Sequence, residues 1–488
     1  MHRVSFTFQD FIRQMPSRKT VQLRRAAVIP GALLAAVLSP QPAAGQSALP
    51  PAMRAAIDSA AREVLATTGA PSASIAVVRS GSLVYANAYG TARLDPPTPA
   101  TSAMRYSIGS ISKQFTATAV LLLAERHKLS LDDKIAKWLP DLTRANEVTL
   151  RQVLSMTSGY QDYWPQDYVM PPMLQPTTAR RIVDEWAKKP LDFEPGTKWQ
   201  YSNTNYVIAG MIVEKVAGMP LVDFLRKEIF GPLHMTSVFI SDEGALGPSD
   251  AERYLRYALG PPRVAPKEGR GWMFAAGELA MTASDLARWD ISVIDHKILT
   301  PASYREQQTD IRLKNGTATG YGLGVDVGVA DGHRLISHGG EVSGFTAQNN
   351  IYPDDRAAIV VQTNLDATAA SGTIARRIAD LLFASTDPGT ARAVAQARTI
   401  FEGLQHGTID RSLFTANANA YFNQTALTDF ASSLGPLGPP TEFTQTRQSL
   451  RGGMVYRAFR VRVGDKTVTV STFTMPNGKL EQYQIAAS

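Results

Sequence analysis

The chain has 488 residues, 44% of them hydrophobic and 19% charged, enough for two or three domains with sizeable cores. It contains no cysteine, which excludes a thiol nucleophile, cysteine–zinc sites and disulfides. The net charge of +7 sits mostly in residues 1–45, where Arg3, Arg13, Arg18, Lys19, Arg24 and Arg25 face Asp10 alone, so the +2 left over provides no basic block to track nucleic acid.

Residues 1–45 read as a signal peptide. A basic segment precedes an apolar run from Ala26 to Leu38, and Ala43, Ala44 and Gly45 form an acceptable cleavage site before Gln46. The run is too short to span a bilayer comfortably. A periplasmic or secreted location follows, with no stable membrane span once the signal is removed. Met53 to Ala66 is an amphipathic helix by its periodicity. Ala73–Arg79 and Leu83–Tyr89 are β-like runs joined by Ser80-Gly81-Ser82, a hairpin signature. Asp95 to Ala103 is a Pro/Thr-rich loop. A helix opens at Ser110 and ends near His127-Lys128-Leu129.

From Asp132 to about Asp290 the pattern is helical with many loops. It includes a short helix over Leu150–Met156, an aromatic and Pro-rich loop over Gln161–Pro176 suited to a cleft wall, and a helix from about Asn205 to Ala217. Gly271 to Gly277 reads as a loop, and Thr282 as the cap of a helix around Asp285–Val293. Strands follow at Arg334–Ser337, Thr346–Tyr352 and Ala357–Thr363, then an amphipathic helix over Ser371–Ala384. Strands at both ends with helices between them predict an α/β domain over 46–388. Its antiparallel sheet is completed by both ends and flanked by helices, with a helical subdomain inserted. Asp387-Pro388-Gly389 marks a boundary. Residues 389–488 read as a small α+β module with strands at Met454–Val463, Thr467–Phe473 and Glu481–Ile485.

Three stretches carry chemistry. Ser110 and Lys113 are three apart, so on a helix they share a face, and Ser110 falls where backbone N–H groups lack helical partners. A serine beside an amine and exposed N–H donors has the parts of an acyl-transfer site. Alone, Ser-x-x-Lys is better explained as ordinary helix capping, a pattern that arises by chance in many chains. Tyr201-Ser202-Asn203 supplies a phenol for proton transfer and an amide to hold the lysine or a substrate carbonyl. A phenol near cations can ionise below its usual range, which makes a Tyr201 phenolate one possible base for Ser110. His338-Gly339-Gly340, placed where the strand Arg334–Ser337 runs out, supplies a wall that a substrate backbone can approach closely, with the Glu341 N–H as a partner to the Ser110 N–H in an oxyanion hole.

In this order and spacing the three stretches resemble the class C β-lactamase-related serine hydrolases, a group that includes penicillin-binding proteins, D-amino-acid peptidases and esterases. Leu154-Ser155-Met156-Thr157-Ser158-Gly159, Phe193-Glu194-Pro195-Gly196, Ala276-Gly277-Glu278-Leu279 and Tyr321-Gly322-Leu323-Gly324 add to the likeness, which covers about residues 50 to 385. The resemblance implies a β-lactamase-like fold. It implies Ser110 as the nucleophile, Lys113 and Tyr201 as proton-transfer groups, and substrate binding by Asn203, His338, Gly339, Gly340 and Glu341. Which of Lys113 and Tyr201 is the base stays open. One departure matters: efficient class C β-lactamases carry lysine in the third motif, and here it is His338, largely neutral at pH 7 if unperturbed. The tail vaguely resembles small NTF2-like folds.

The expected activity is cleavage of an ester or amide through an acyl-enzyme on Ser110, in an exported enzyme acting on a small-molecule or peptide substrate. A β-lactamase or penicillin-binding D-Ala peptidase is the alternative, and a non-catalytic binding or scaffolding relative a third reading. No cofactor or metal is implied: the histidines are scattered and no His-Glu-x-x-His occurs. Nor does a Gly-x-Ser-x-Gly elbow or a P-loop. Oligomeric state is not readable.

Overall fold

The computed structural model of the chain describes residues 49–166, 168–383 and 388–487. The signal peptide expected over 1–45 lies outside the described residues, as do Ala384 and Asp387.

Helix α1 (Pro51–Thr68) leads into β1 (Ser72–Arg79), β2 (Ser82–Leu94) and β3 (Pro97–Pro99). The hairpin between β1 and β2 turns on Ser80 and Gly81, both at positive φ (53° and 74°). Two such residues make the turn whose twist matches that of paired strands. The loop expected over Asp95–Ala103 contains β3. Its prolines are tolerated because it is an edge strand with little ladder to donate to.

Far along the chain come β6 (Asp326–Ala330), β7 (His333–Val342), β8 (Phe345–Tyr352) and β9 (Ala357–Thr363). Between the two groups lie the short strands β4 (Tyr106–Ser107) and β5 (Leu279–Met281). The main sheet has seven strands in the order β3-β2-β1-β9-β8-β7-β6, with every neighbouring pair antiparallel. Both ends of the domain therefore meet in one sheet, β1 against β9, as the sequence predicts.

Period-two alternation makes this sheet the partition between two cores. Ala73, Ile75 and Val77 of β1, with Ala357, Ile359 and Val361 of β9, face a cluster that includes Ile57, Ala61, Val64 and Leu65 of α1 and Ile374, Ala375 and Ile378 of α5 (Ala370–Leu382). Ala76, Val78, Ala358 and Val360 point the other way, into the larger core shared with α2 (Ser112–Glu125), α3 (Asn203–Ala217) and α4 (Ala283–Ile294). Each aliphatic side chain of valine size or larger so buried contributes roughly 1.5–3 kcal/mol. Ser112 to Leu123 of α2 are all buried, so this helix has no solvent face and its position is set from every side. Thr282 caps α4 by accepting from the Asp285 N–H, as its sequence position suggests.

The region expected to be purely helical also holds short strands. β5 pairs with β4 on one side and with Phe239–Ile240 on the other. Runs of two or three residues are too short to show periodicity, which is why the sequence hides them.

Residues 388–487 form helices α6 (Pro388–Gln405) and α7 (Gln424–Leu434) and an antiparallel sheet of β10 (Pro440–Arg451), β11 (Met454–Val463), β12 (Lys466–Thr474) and β13 (Leu480–Ala487). The last three match the expected runs. β10 was not expected, because its exposed face is polar and only part of it is apolar. Phe401, Leu404, Phe422, Phe459, Val461, Val470 and Tyr483 give this region a core of its own.

Candidate active site

Ser110 sits in a single 3-10 turn, Gly109–Ile111, that runs directly into α2. The turn is tighter than the α-helical start expected there. The cause is the close approach of β7. Gly109 has φ +50°, and a Cβ on it would lie 2.8 Å from the Glu341 N. The strand β7 does not end at Ser337, as expected, but continues through His338, Gly339, Gly340 and Glu341 to Val342, paired throughout with β8. Gly340 lets it pass the turn: a Cβ there would lie 1.9 Å from the Ile108 carbonyl oxygen. His338 is buried rather than on a surface turn.

Lys113 is fully buried and lies one turn along from Ser110. Its Nζ is 2.8 Å from Ser110 Oγ, 2.8 Å from Asn203 Oδ1 and 2.9 Å from the Ala276 carbonyl oxygen. The residues expected to be a Gly-rich loop here include a short helix, Phe274–Gly277, whose end presents that carbonyl. Asn203 Oδ1 and the Ala276 oxygen can only accept hydrogen bonds. A neutral amine has two N–H donors, which these two acceptors take, and its lone pair is then left facing the Ser110 hydroxyl. Burial drives the Lys113 pKa down to about 7, against a smaller opposing pull from Asp162.

Tyr201 lies in the extended segment before α3, and its hydroxyl hydrogen-bonds Ser110. Lys113 Nζ is 5.0 Å from its ring centre. Its phenol is nevertheless raised well above the ordinary tyrosine range, first by burial. Of the two candidate bases left open by the sequence, burial thus disfavours a Tyr201 phenolate.

Asn203 is the first residue of α3. Its own backbone N–H donates to Asp162 Oδ1 (2.9 Å), and its side-chain Nδ2 lies 3.3 Å from Asp162 Oδ2. Asp162 thus caps the helix from a different loop and turns the Asn203 carbonyl toward Lys113. Sequence reading missed this role. Asp162 lies in the loop marked as a cleft wall, but nothing local ties it to a residue 41 positions on.

His338 Nδ1 is 2.5 Å from the Gly339 carbonyl oxygen, and its Nε2 is 3.0 Å from the Tyr321 hydroxyl. A carbonyl only accepts, so the proton is assigned to Nδ1, and Nε2 accepts from Tyr321. Burial, with Lys113 nearby, lowers the His338 pKa to about 4. The ring is neutral and both nitrogens are occupied. Tyr321 stood in a familial stretch without an assigned role. It now fixes the histidine and, with Trp199 and Tyr201, forms an aromatic wall (Trp199–Tyr321 centroids 5.7 Å, Tyr201–His338 6.3 Å).

Ser110, Tyr201, Asn203, His338, Gly339, Gly340 and Glu341 all line one cleft of about 1130 Å³, with Lys113 beneath its floor. Asp162, Trp164 and Tyr168 of the aromatic loop line it as well. Among the described residues no cluster of histidine and carboxylate groups is suited to hold a metal, and no helix is long and apolar enough to cross a membrane.

The beta-lactamase family model matches residues 57–383. The chain belongs to the beta-lactamase family. It is 29% identical over 308 residues to penicillin-binding protein 4* of Bacillus subtilis, a match that covers 59% of this chain and 67% of that protein. It is 29% identical over 326 residues to a D-aminopeptidase of Brucella anthropi, covering 64% of this chain but 60% of that relative's length. Among solved structures, the D-amino acid amidase of Ochrobactrum anthropi SV3, complexed with L-phenylalanine amide, superposes with TM-score 0.61 at 25% identity, over 68% of this chain and 98% of its own. The fold is thus the β-lactamase-like fold that the motifs imply, and the chain is an enzyme of the β-lactamase-related serine hydrolase class. The matched family segment stops before the helix and sheet of 388–487.

Proposed function

We propose that the chain hydrolyses an ester or amide through an acyl-enzyme on Ser110, with neutral Lys113 as the base that activates it. The observation that carries this reading is the three-partner environment of Lys113. Its Nζ lies within hydrogen-bond distance of two pure acceptors and of Ser110 Oγ, and burial lowers its pKa toward neutrality, so that as a neutral amine it can hold both acceptors through N–H and offer its lone pair to Ser110. In the first step Lys113 takes the Ser110 proton as Oγ bonds to the substrate carbonyl carbon. The N–H groups of Ser110 and Glu341 receive the developing oxyanion. Tyr201, protonated, gives its hydroxyl proton to the departing nitrogen or oxygen and regains one from the Lys113 ammonium. Water then attacks the Ser110 ester by the reverse proton path. Asn203 and Asp162 keep the lysine aimed, and His338, Gly339 and Gly340 form the wall along which the substrate lies.

The relatives named D-aminopeptidase and D-amino acid amidase favour an amide of a D-amino acid as substrate. The neutral His338 weighs against a dedicated β-lactamase, because it offers no charge to a β-lactam carboxylate. The basic and apolar segment in residues 1–45 supports export to the periplasm or the medium. The separate core of 388–487 supports a second module after about 388, to be tested by limited proteolysis. A side-by-side screen of D-alanine amides, p-nitrophenyl esters and nitrocefin, on wild type and Ser110→Ala, tests the activity. Turnover of the first two that vanishes in the variant is expected. Efficient nitrocefin turnover reverses the substrate preference, and activity retained in Ser110→Ala rejects the site.

A further inference from the structure

The charged side chains among the described residues lining the cleft are Asp162, Asp326, Glu341, Asp366 and Arg376. His338 is neutral, so carboxylates dominate. Three of the four carboxylates are engaged by the protein. Asp162 holds Asn203, Glu341 Oε1 accepts from the Ala367 N–H (2.8 Å), and Asp366 Oδ2 accepts from the Gly344 N–H (3.2 Å). Asp326 differs. It begins β6 opposite Ser337, the residue before His338, and its backbone also bridges to Tyr321. Its carboxylate is open to the cleft. Among the described residues it is exposed, with no ion pair and no side-chain hydrogen bond. Its bridge to Tyr321 and its register opposite Ser337 place it on the His338 wall of the cleft.

An exposed, unpaired carboxylate in a cleft whose charged lining is mostly acidic favours a cation over an anion among entering substrates. We propose that Asp326 is a specificity residue that receives a positively charged group of the substrate, an ammonium carried on either the acyl or the leaving-group side. The proposal rests on the Ser110 acyl-enzyme reading and adds a substrate class to it: cationic esters and amides, with anionic ones rejected. An ammonium docked there adds a charge-assisted hydrogen bond or a close ion pair that a neutral isostere lacks.

The test uses two isosteric pairs on the full-length protein. Acetylthiocholine against S-(3,3-dimethylbutyl) thioacetate places the cation on the leaving group. D-alanine p-nitroanilide against isobutyryl p-nitroanilide places it on the acyl group. In at least one pair, Asp326→Asn is expected to lower the ratio of kcat/KM for cationic over neutral substrate by about tenfold, mostly through KM. Asp326→Glu is expected to keep that ratio. A ratio that stays within about twofold in both pairs overturns the proposal. So does an equal loss on cationic and neutral members, which would mark a structural role. A measurement that needs no turnover accompanies it: protection of Ser110 from a fluorophosphonate by choline. Wild type should be protected at about tenfold lower choline than Asp326→Asn, and equal protection overturns the proposal. Failure of the fluorophosphonate to label Ser110 at all instead rejects the acyl-enzyme reading.

Discussion

The free-base lysine makes a quantitative claim about pH. An ordinary lysine, with a pKa near 10.5, is a neutral amine at pH 7 in only about one molecule in 3,000. Lys113, at about 7, is neutral in roughly half of the molecules. The difference corresponds to ~5 kcal/mol, which the fold imposes by burying the amine away from water. The neutral fraction falls to about one tenth at pH 6 and about one hundredth at pH 5. With p-nitrophenyl acetate, followed at the isosbestic wavelength of the product, kcat/KM should therefore rise about tenfold per pH unit up to pH 6.5 and level off by about pH 8. An uncharged ester keeps the ionisation of Asp326, with its pKa of about 6, from contributing through substrate charge. His338, at about 4, titrates below this window, and the raised Tyr201 phenol above it. Lys113→Arg replaces the base with a cation that cannot deprotonate. It should lower kcat/KM by about 10²–10⁴ and erase the limb. A limb centred at pH 9 or above in wild type would point to a tyrosinate base and refute the argument. An unaltered limb in Lys113→Arg would also refute it.

Further outcomes follow from the same geometry. Asp162 raises the Lys113 pKa, so Asp162→Asn should move the acid limb of kcat/KM to lower pH, and movement upward would contradict the assigned polarity. Tyr201→Phe should cost about 10²–10⁴ in kcat on a D-amino acid anilide but far less on a p-nitrophenyl ester, whose leaving group departs without a proton; equal losses would place Tyr201 elsewhere in the mechanism. Gly340→Ala puts a methyl carbon 1.9 Å from the Ile108 carbonyl oxygen and should lower both the melting temperature and Ser110 labelling, whereas Gly339→Ala, with Gln348 Oε1 at 3.7 Å, should fold like wild type. Circular dichroism melts separate the two. Trp289→Ala should cost about 3–5 kcal/mol in urea unfolding, because it empties a fully buried site packed on Phe115 (centroids 4.5 Å) and removes the donor to Gln114 Oε1 on the helix that follows Ser110.

Much of this arrangement was legible beforehand, for identifiable reasons. β9 was read to its exact ends, because a strand buried on both faces is a continuous apolar run bounded by turn residues. Ser110 and Lys113 were paired because three residues on a helix is a fixed geometry. Three other features were hidden. The glycines at 339 and 340 suggested that a strand was ending, yet the ladder to β8 carries β7 through them. The choice between Lys113 and Tyr201 as base stays open in the sequence, because the burial that lowers the lysine pKa and raises the phenol is set by tertiary packing. Asp162 acts on a partner that only tertiary folding brings near, and neither it nor Asp326 lies in a motif.

The central claim is covalent, so its most direct measurement is the mass of the enzyme caught in the act. The full-length protein, mixed with p-nitrophenyl acetate and quenched in acid within the first turnovers, is measured intact and then mapped by peptide. The account predicts a gain of one acetyl group, located on Ser110 and absent from Ser110→Ala. Steady hydrolysis with no adduct in wild type, or an adduct on any other residue that persists in Ser110→Ala, would contradict it.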